Sequence, residues 1–188
     1  MAKMARSGKL FTPVFRVSFP HVFKARTFKN NEPEYAISMI FPVGDDLAEL
    51  KAEAEAVAVA QWGDGIPKKL KSPFLDQRDE EYDGYEDGGL FIRAGRKESM
   101  GKPGLVDADV QPIIDPTEFY AGCYAIASFN FYAWAHDEGG TGISAGLMNI
   151  QKVKDGEPFG AGNSKPEDDF AAIESDEKPT KATPGFLS

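Results

Sequence analysis

Five stretches of this chain alternate apolar with polar residues or run apolar at strand length, and only one turns at helical spacing. Leu10 to Phe19 places Phe11, Phe15, Val17 and Phe19 on one face and Thr12, Arg16 and Ser18 on the other. Tyr35 to Phe41 sets Tyr35, Ile37, Met39 and Phe41 to one side, and Leu90 to Ala94 is a short strand. Gly122 to Ala135 is apolar on both faces, as in a long covered strand. Ile143 to Val153 follows the turn DEGGTG, in which Gly139 and Gly140 supply positive φ. The exception is DLAELKAEAEAVAVAQW, Asp46 to Trp62. Its apolar positions Leu47, Leu50, Ala54 and Val57 predict one amphipathic helix, N-capped by Asp45 or Asp46 and stopped at Gly63. With no βαβ alternation, a doubly wound parallel sheet is excluded. The pattern predicts a mainly β chain, an OB-fold-like small barrel of about five strands with one interposed α-helix. A β-sandwich with one helix has the same periodicity and remains the alternative.

At 188 residues the chain is one domain with tails. Residues 1–8 are expected to be a flexible N-terminus, 9–154 the folded domain, and 155–188 a disordered acidic tail. That last segment has few apolar residues and carries eight acids against three bases. It buries too little apolar surface to offset the entropy of ordering. One cysteine excludes a disulfide framework and points to a reducing compartment. No apolar run reaches the length of a membrane-spanning helix, and the basic start MAKMARSGKLF lacks the apolar stretch of a secretory signal. The chain reads as soluble and intracellular, with no membrane partner.

The net charge of -9 argues at first against a phosphate-binding surface, but it is unevenly spread. Residues 1–29 hold seven bases and no acid, whereas 76–87 hold seven acids and one base. Further bases cluster at Lys68, Lys69 and Lys71 and again at Arg93, Arg96, Lys97 and Lys102. A mildly acidic body therefore has room for a basic face.

Catalytic chemistry has little to build on. Cys123 lies inside the apolar run YAGCYAIASF, where burial makes a thiol inert. His21 and His136 adjoin a Pro and an Asp with no metal or triad spacing. Asp79, Glu81, Asp83 and Gly84 mimic half an EF-hand, but Leu90 stands where its closing Glu belongs. GAGNSK (160–165) lacks the spacing of a phosphate loop. No catalytic residue, metal site or cofactor is expected. Asp107, Asp109 and Asp115 leave a magnesium-dependent nuclease as one alternative.

Binding is better supported, because aromatic and basic residues interleave at strand spacing. Phe91 and Arg93 share a strand face, with Arg96 and Lys97 beyond. Tyr124, Tyr132 and Trp134 share one parity of the long strand, beside Ser128, Asn130 and His136. Rings on a concave sheet stack any base, while bases such as Lys9, Arg16, Lys24, Arg26, Lys29, Lys68, Lys69 and Lys71 follow phosphates. A β-barrel interaction module that never touches nucleic acid, its rings all core, is the other alternative.

Three runs carry a resemblance: KLFTPVFRVSFPHVFKAR (9–26), TEFYAGCYAIASFNFYAW (117–134) and GTGISAGLMNIQKVKDGEPFG (140–160). With Trp62-Gly63, the stretch 71–76 and Gly84-Tyr85 between them, they resemble a family of short phage-encoded single-stranded DNA-binding proteins. The resemblance implies an OB-fold that binds single-stranded DNA without sequence preference. It also implies a role in phage replication, recombination or repair, in the cytoplasm of an infected bacterial host. Related phage proteins use an acidic C-terminal tail to contact replication enzymes and to compete with DNA. Here Asp168, Asp169, Phe170, Glu174, Asp176 and Glu177 are the candidate partner-binding residues, for replication or recombination enzymes. The chain departs from that pattern in ending TPGFLS, well beyond its strongest acid cluster.

Overall fold

The computed structural model of the chain describes residues 3–160 and 170–172. In chain order its elements are β1 Leu10–Phe11, β2 Phe15–Arg26, β3 Glu34–Phe41, the helix α1 Ala48–Trp62, β4 Leu75–Asp76, β5 Leu90–Lys97, β6 Gly104–Val106, β7 Tyr124–His136 and β8 Gly140–Lys154. β2 pairs with β3, β3 with β5, β5 with β8, β8 with β7, and β7 with β2, so five strands close into a ring. Every junction of the ring is antiparallel except β5–β8, which runs parallel through Ala94↔Ala145 and Gly95↔Gly146. The architecture is mainly β and OB-fold-like, with one α-helix interposed between β3 and β4.

Alternation supplies the core. Val17, Ile37, Met39, Ile92, Phe129, Phe131 and Ala145 point into the ring and are at most 2% exposed. The helix packs against β7 and β8, burying Leu50, Ala54, Val57 and Ala58. Leu47, not Asp45 or Asp46, stands at the N-cap and has no side-chain cap, while Asp46 one residue earlier accepts from the Ala48 N–H at 2.9 Å. The chain turns out of the helix at Gly63 with φ 56°. Cys123 is fully buried, and burial pushes its thiol up.

Four further expectations change. The first predicted strand is two, because Pro13 offers no N–H to the ladder and the chain re-pairs with an earlier part of β7. Thr12 is buried instead, its hydroxyl accepting from Ala127 N–H, and Phe11 is left 68% exposed. A bulge then turns Phe19 outward at φ 45°. The start of the chain, expected to be loose, is docked from Ala5 to Ser7: Ala133 N–H donates to Ala5 O and Ser7 N–H to Phe131 O, both at 2.8 Å. The body also runs past Lys154. Phe159 N–H donates to Ala121 O, and Tyr120 OH to Gly156 O. Of the two turn glycines, Gly140 alone has positive φ.

Candidate nucleic-acid interface

Strand register decides which side chains share the outer surface of the ring. Directly paired residues point the same way, so Ser18, Ser38 and Arg93 form one outward row across β2, β3 and β5. The next row is His21, Ala36 and Gly95, which continues through Gly146 of β8 to Asn130 of β7. Small residues thus make a shallow floor across the middle of the sheet. Aromatic residues flank it at both ends.

On the β7–β8 side the rings lie on glycines. A Cβ at Gly142 would stand 2.5 Å from the Trp134 ring. One at Gly146 would stand 2.5 Å from Asn130 Oδ1 and 3.7 Å from Tyr132 Cδ1. Gly142 thus leaves the space in which the indole lies across the neighbouring strand, and Gly146 does the same for the Asn130 amide, while Tyr132 is in ordinary contact with Gly146. Trp134 Nε1 donates to Ser144 Oγ at 2.8 Å, fixing the ring, and the His136 ring lies 5.3 Å away, tilted by 32°. Lys71 Nζ is 5.5 Å from the Trp134 ring centre and donates to Gly139 O. The half-exposed rings of Tyr132 and Trp134 and the Lys71 ammonium group lie together on this face, an arrangement of the kind on which bases stack.

Glu34, opposite Lys97, is the acid on this surface. The residue is exposed, but its carboxylate reaches back over Gly95, and that burial pushes its pKa up against the pull of Lys97. The Tyr132 phenol is raised chiefly by burial and then by Glu34, with Ser144, Lys97 and Arg6 acting in the opposite direction.

The β2–β3–β5 half is covered by the acidic loop. Tyr85 packs edge-on over Phe91 at 5.2 Å, Tyr82 over Tyr85 at 5.5 Å, and Phe19 over Tyr82 at 4.9 Å. Glu80 accepts from Arg93 at 3.1 Å. Phe91 is therefore 1% exposed, which corrects its reading as a stacking residue: its strand parity is outward, but a loop covers it. Arg16 is engaged as well. Its Nε donates to Gly122 O and its Nη2 to Glu157 O, with the Phe159 ring 4.3 Å from its guanidinium.

The other basic candidates divide by partner. Arg96 donates to the carbonyls of Met100, Gly101 and Leu147 and so braces a loop. Lys97 pairs with Glu32 at 2.9 Å. Lys24, Arg26 and Lys29 are exposed on the β2–β3 hairpin, where Arg26 meets His21 Nε2 at 2.9 Å. Burial, then Arg26, lowers the His21 pKa. Lys9, Lys68 and Lys69 are exposed. Tyr124 lies eight residues along β7 from Tyr132, about 26 Å at strand rise, packed beside Arg16 and Lys154. Among the tail candidates Phe170 is exposed, whereas Asp168, Asp169, Glu174, Asp176 and Glu177 lie outside the described residues. The nuclease candidates are occupied locally: Asp107 Oδ1 accepts from Asp109 and Gln111 N–H, and Asp115 Oδ1 from Thr117 N–H.

Two surface residues escaped the sequence reading. Arg6 forms a bridge pair with Tyr132, and Phe28, 67% exposed at the hairpin tip, lies 5.6 Å from Lys29 Nζ. The signal for Phe28 was an aromatic beside Lys29 between two alternating runs.

Comparison with known proteins adds a lineage. A family model described as Enterobacter phage Enc34, ssDNA-binding protein, matches residues 8–180. Protein p50 of Acyrthosiphon pisum secondary endosymbiont phage 1 is 29% identical over 178 residues, covering 86% of this chain and 94% of that protein. The solved structure of the single-stranded DNA-binding protein from bacteriophage Enc34 shares the fold with a TM-score of 0.65 at 24% identity, over 86% of this chain and 89% of that one. Its complex with ssDNA gives 0.66 at 22%, over 81% and 90%. The gp2.5 single-stranded DNA-binding protein of bacteriophage T7 gives 0.59 at 14%, over 92% and 98%.

Proposed function

The chain belongs to the Enterobacter phage Enc34 ssDNA-binding protein family, and on that premise we propose that it binds single-stranded DNA without sequence preference. The observation that carries this reading is the outward pair of Tyr132 and Trp134 on β7, the indole lying in the space that Gly142 leaves, beside Lys71. Flat rings accept any base, at about 1–3 kcal/mol per base, and the cations at the edge follow the phosphates. The reaction class is binding without catalysis. Its setting is phage DNA replication, recombination or repair in the cytoplasm of the infected bacterium, with residues 161–188 as the contact for replication or recombination enzymes.

Incubating labelled single and double strands with and without magnesium tests the reading. A shift of the single strand without cleavage is expected, weakening with salt at a slope of about -0.7 per phosphate neutralised. Magnesium-dependent products would establish the nuclease instead, and the absence of any shift would leave an interaction module.

A further inference from the structure

Resting on that reading, we infer that the N-terminal strap, residues 4–8, completes a nucleotide subsite in which Arg6 takes a backbone phosphate and Tyr132 takes the adjoining base.

The pairing geometry carries it. Ser7 N–H donates to Phe131 O and Ala133 N–H to Ala5 O, so the hydrogen bonds flank the Arg6–Tyr132 pair rather than join it. In an antiparallel ladder that is the non-hydrogen-bonded kind of pair, in which the two side chains approach most closely. Both must point to the same face, and Tyr132 points to the outer one, over Gly146.

The strap is built to hold that register. Ala5 N–H donates to Gln61 Oε1 of the helix at 2.7 Å, and Ser7 Oγ accepts from Phe131 N–H at 2.9 Å. Met4 and Ala5 pack against the core. Arg6, between two anchored neighbours, is exposed, and among the described residues it joins no ion pair. An exposed, unpaired guanidinium on an anchored stretch of backbone, beside the Tyr132 ring, suits one phosphate and the base attached to it. Asn130, also on Gly146, offers an amide to that base's edge.

Salt titrations with oligo(dT) separate the two roles. Arg6→Ala should weaken binding and lower the magnitude of the salt slope by about 0.7, one phosphate contact, without moving the melting temperature. Arg6→Lys should restore the slope. Tyr132→Ala should lose affinity while keeping it. An Arg6→Ala protein with wild-type slope and affinity overturns the subsite. So does a loss of affinity that follows a lowered melting temperature and is not rescued by Arg6→Lys, because the arginine would then serve the fold. Wild-type binding tests the function proposed above, and the difference between wild type and Arg6→Ala tests the subsite, so the two failures read apart.

Discussion

Gly142 vacates the space that the Trp134 ring occupies: a methyl group at that position would stand 2.5 Å from the indole. Trp134 is thereby laid along β8 with its N–H on Ser144, half exposed rather than projecting into solvent.

Gly142→Ala should lift the indole and break its bond to Ser144, because the ring is the movable partner in that contact. We expect weaker binding of single strands with nearly unchanged melting. Tryptophan emission, with Trp62 as the constant contribution, should shift to the red. Unchanged emission and affinity would show that the ring does not depend on the glycine.

Trp134→Ala and Tyr132→Ala should each cost about 1–3 kcal/mol of binding. Phe91→Ala should instead cost about 3–5 kcal/mol of stability, because Phe91 is buried under Tyr85. Thermal melts beside titrations distinguish the two classes. Binding lost and melting retained for Phe91→Ala would restore it to the interface.

Glu34 makes the surface sensitive to pH. Burial raises its folded pKa above that of the unfolded chain, so its charged form penalises the fold above that folded value. The penalty is relieved as pH falls through it. Protonation also removes a negative charge from the face, so affinity for single strands should rise as pH falls through the raised Glu34 pKa. His21, whose pKa is lowered by burial and by Arg26, gains charge only below the usual imidazole range and acts in the same direction. Glu34→Gln isolates the first effect: it should bind more tightly at pH 7 and show a flatter profile. A profile identical to wild type would remove Glu34 from the explanation.

Residues 161–188 carry six acids against three bases. They follow Gly160, whose N–H donates to Asp83 next to the Phe159 ring that covers Arg16. Tethering gives such acids an effective concentration of about millimolar at nearby cations. Truncation after Gly160 should therefore raise affinity at about 0.01–0.05 M salt, with the gain fading as screening increases. Equal affinity for both proteins at low salt would rule out competition by the tail.

How far the sequence spoke for the fold depended on local continuity. In β3 Tyr35, Ile37, Met39 and Phe41 are buried, as the alternation says, because nothing interrupts the pleat, and Ser38 and Ile40 on the opposite face are buried as well. From Phe11 to Phe19 the same rhythm misleads, because Pro13 and the bulge at Phe19 each reverse the parity. Tyr132 and Trp134 were legible from parity alone. Phe91 was not, since its cover comes from Tyr85 on a loop that alternation does not describe. Arg6 was hidden for a further reason. A strap of five residues is too short to show a period of its own, and its partner strand is remote in sequence.

That remoteness has a consequence for how the protein comes into being. Ser7 and Phe131, which fasten the strap, are 124 positions apart. At roughly 5–20 residues added per second, the amino terminus waits about 6–25 s for β7 to be synthesised. The parallel junction that closes the ring needs Ala145 and Gly146 later still. A nascent chain on the ribosome therefore has Arg6 long before it has Tyr132 opposite it, and the outer face of β7 and β8 arises as one of the last events of translation.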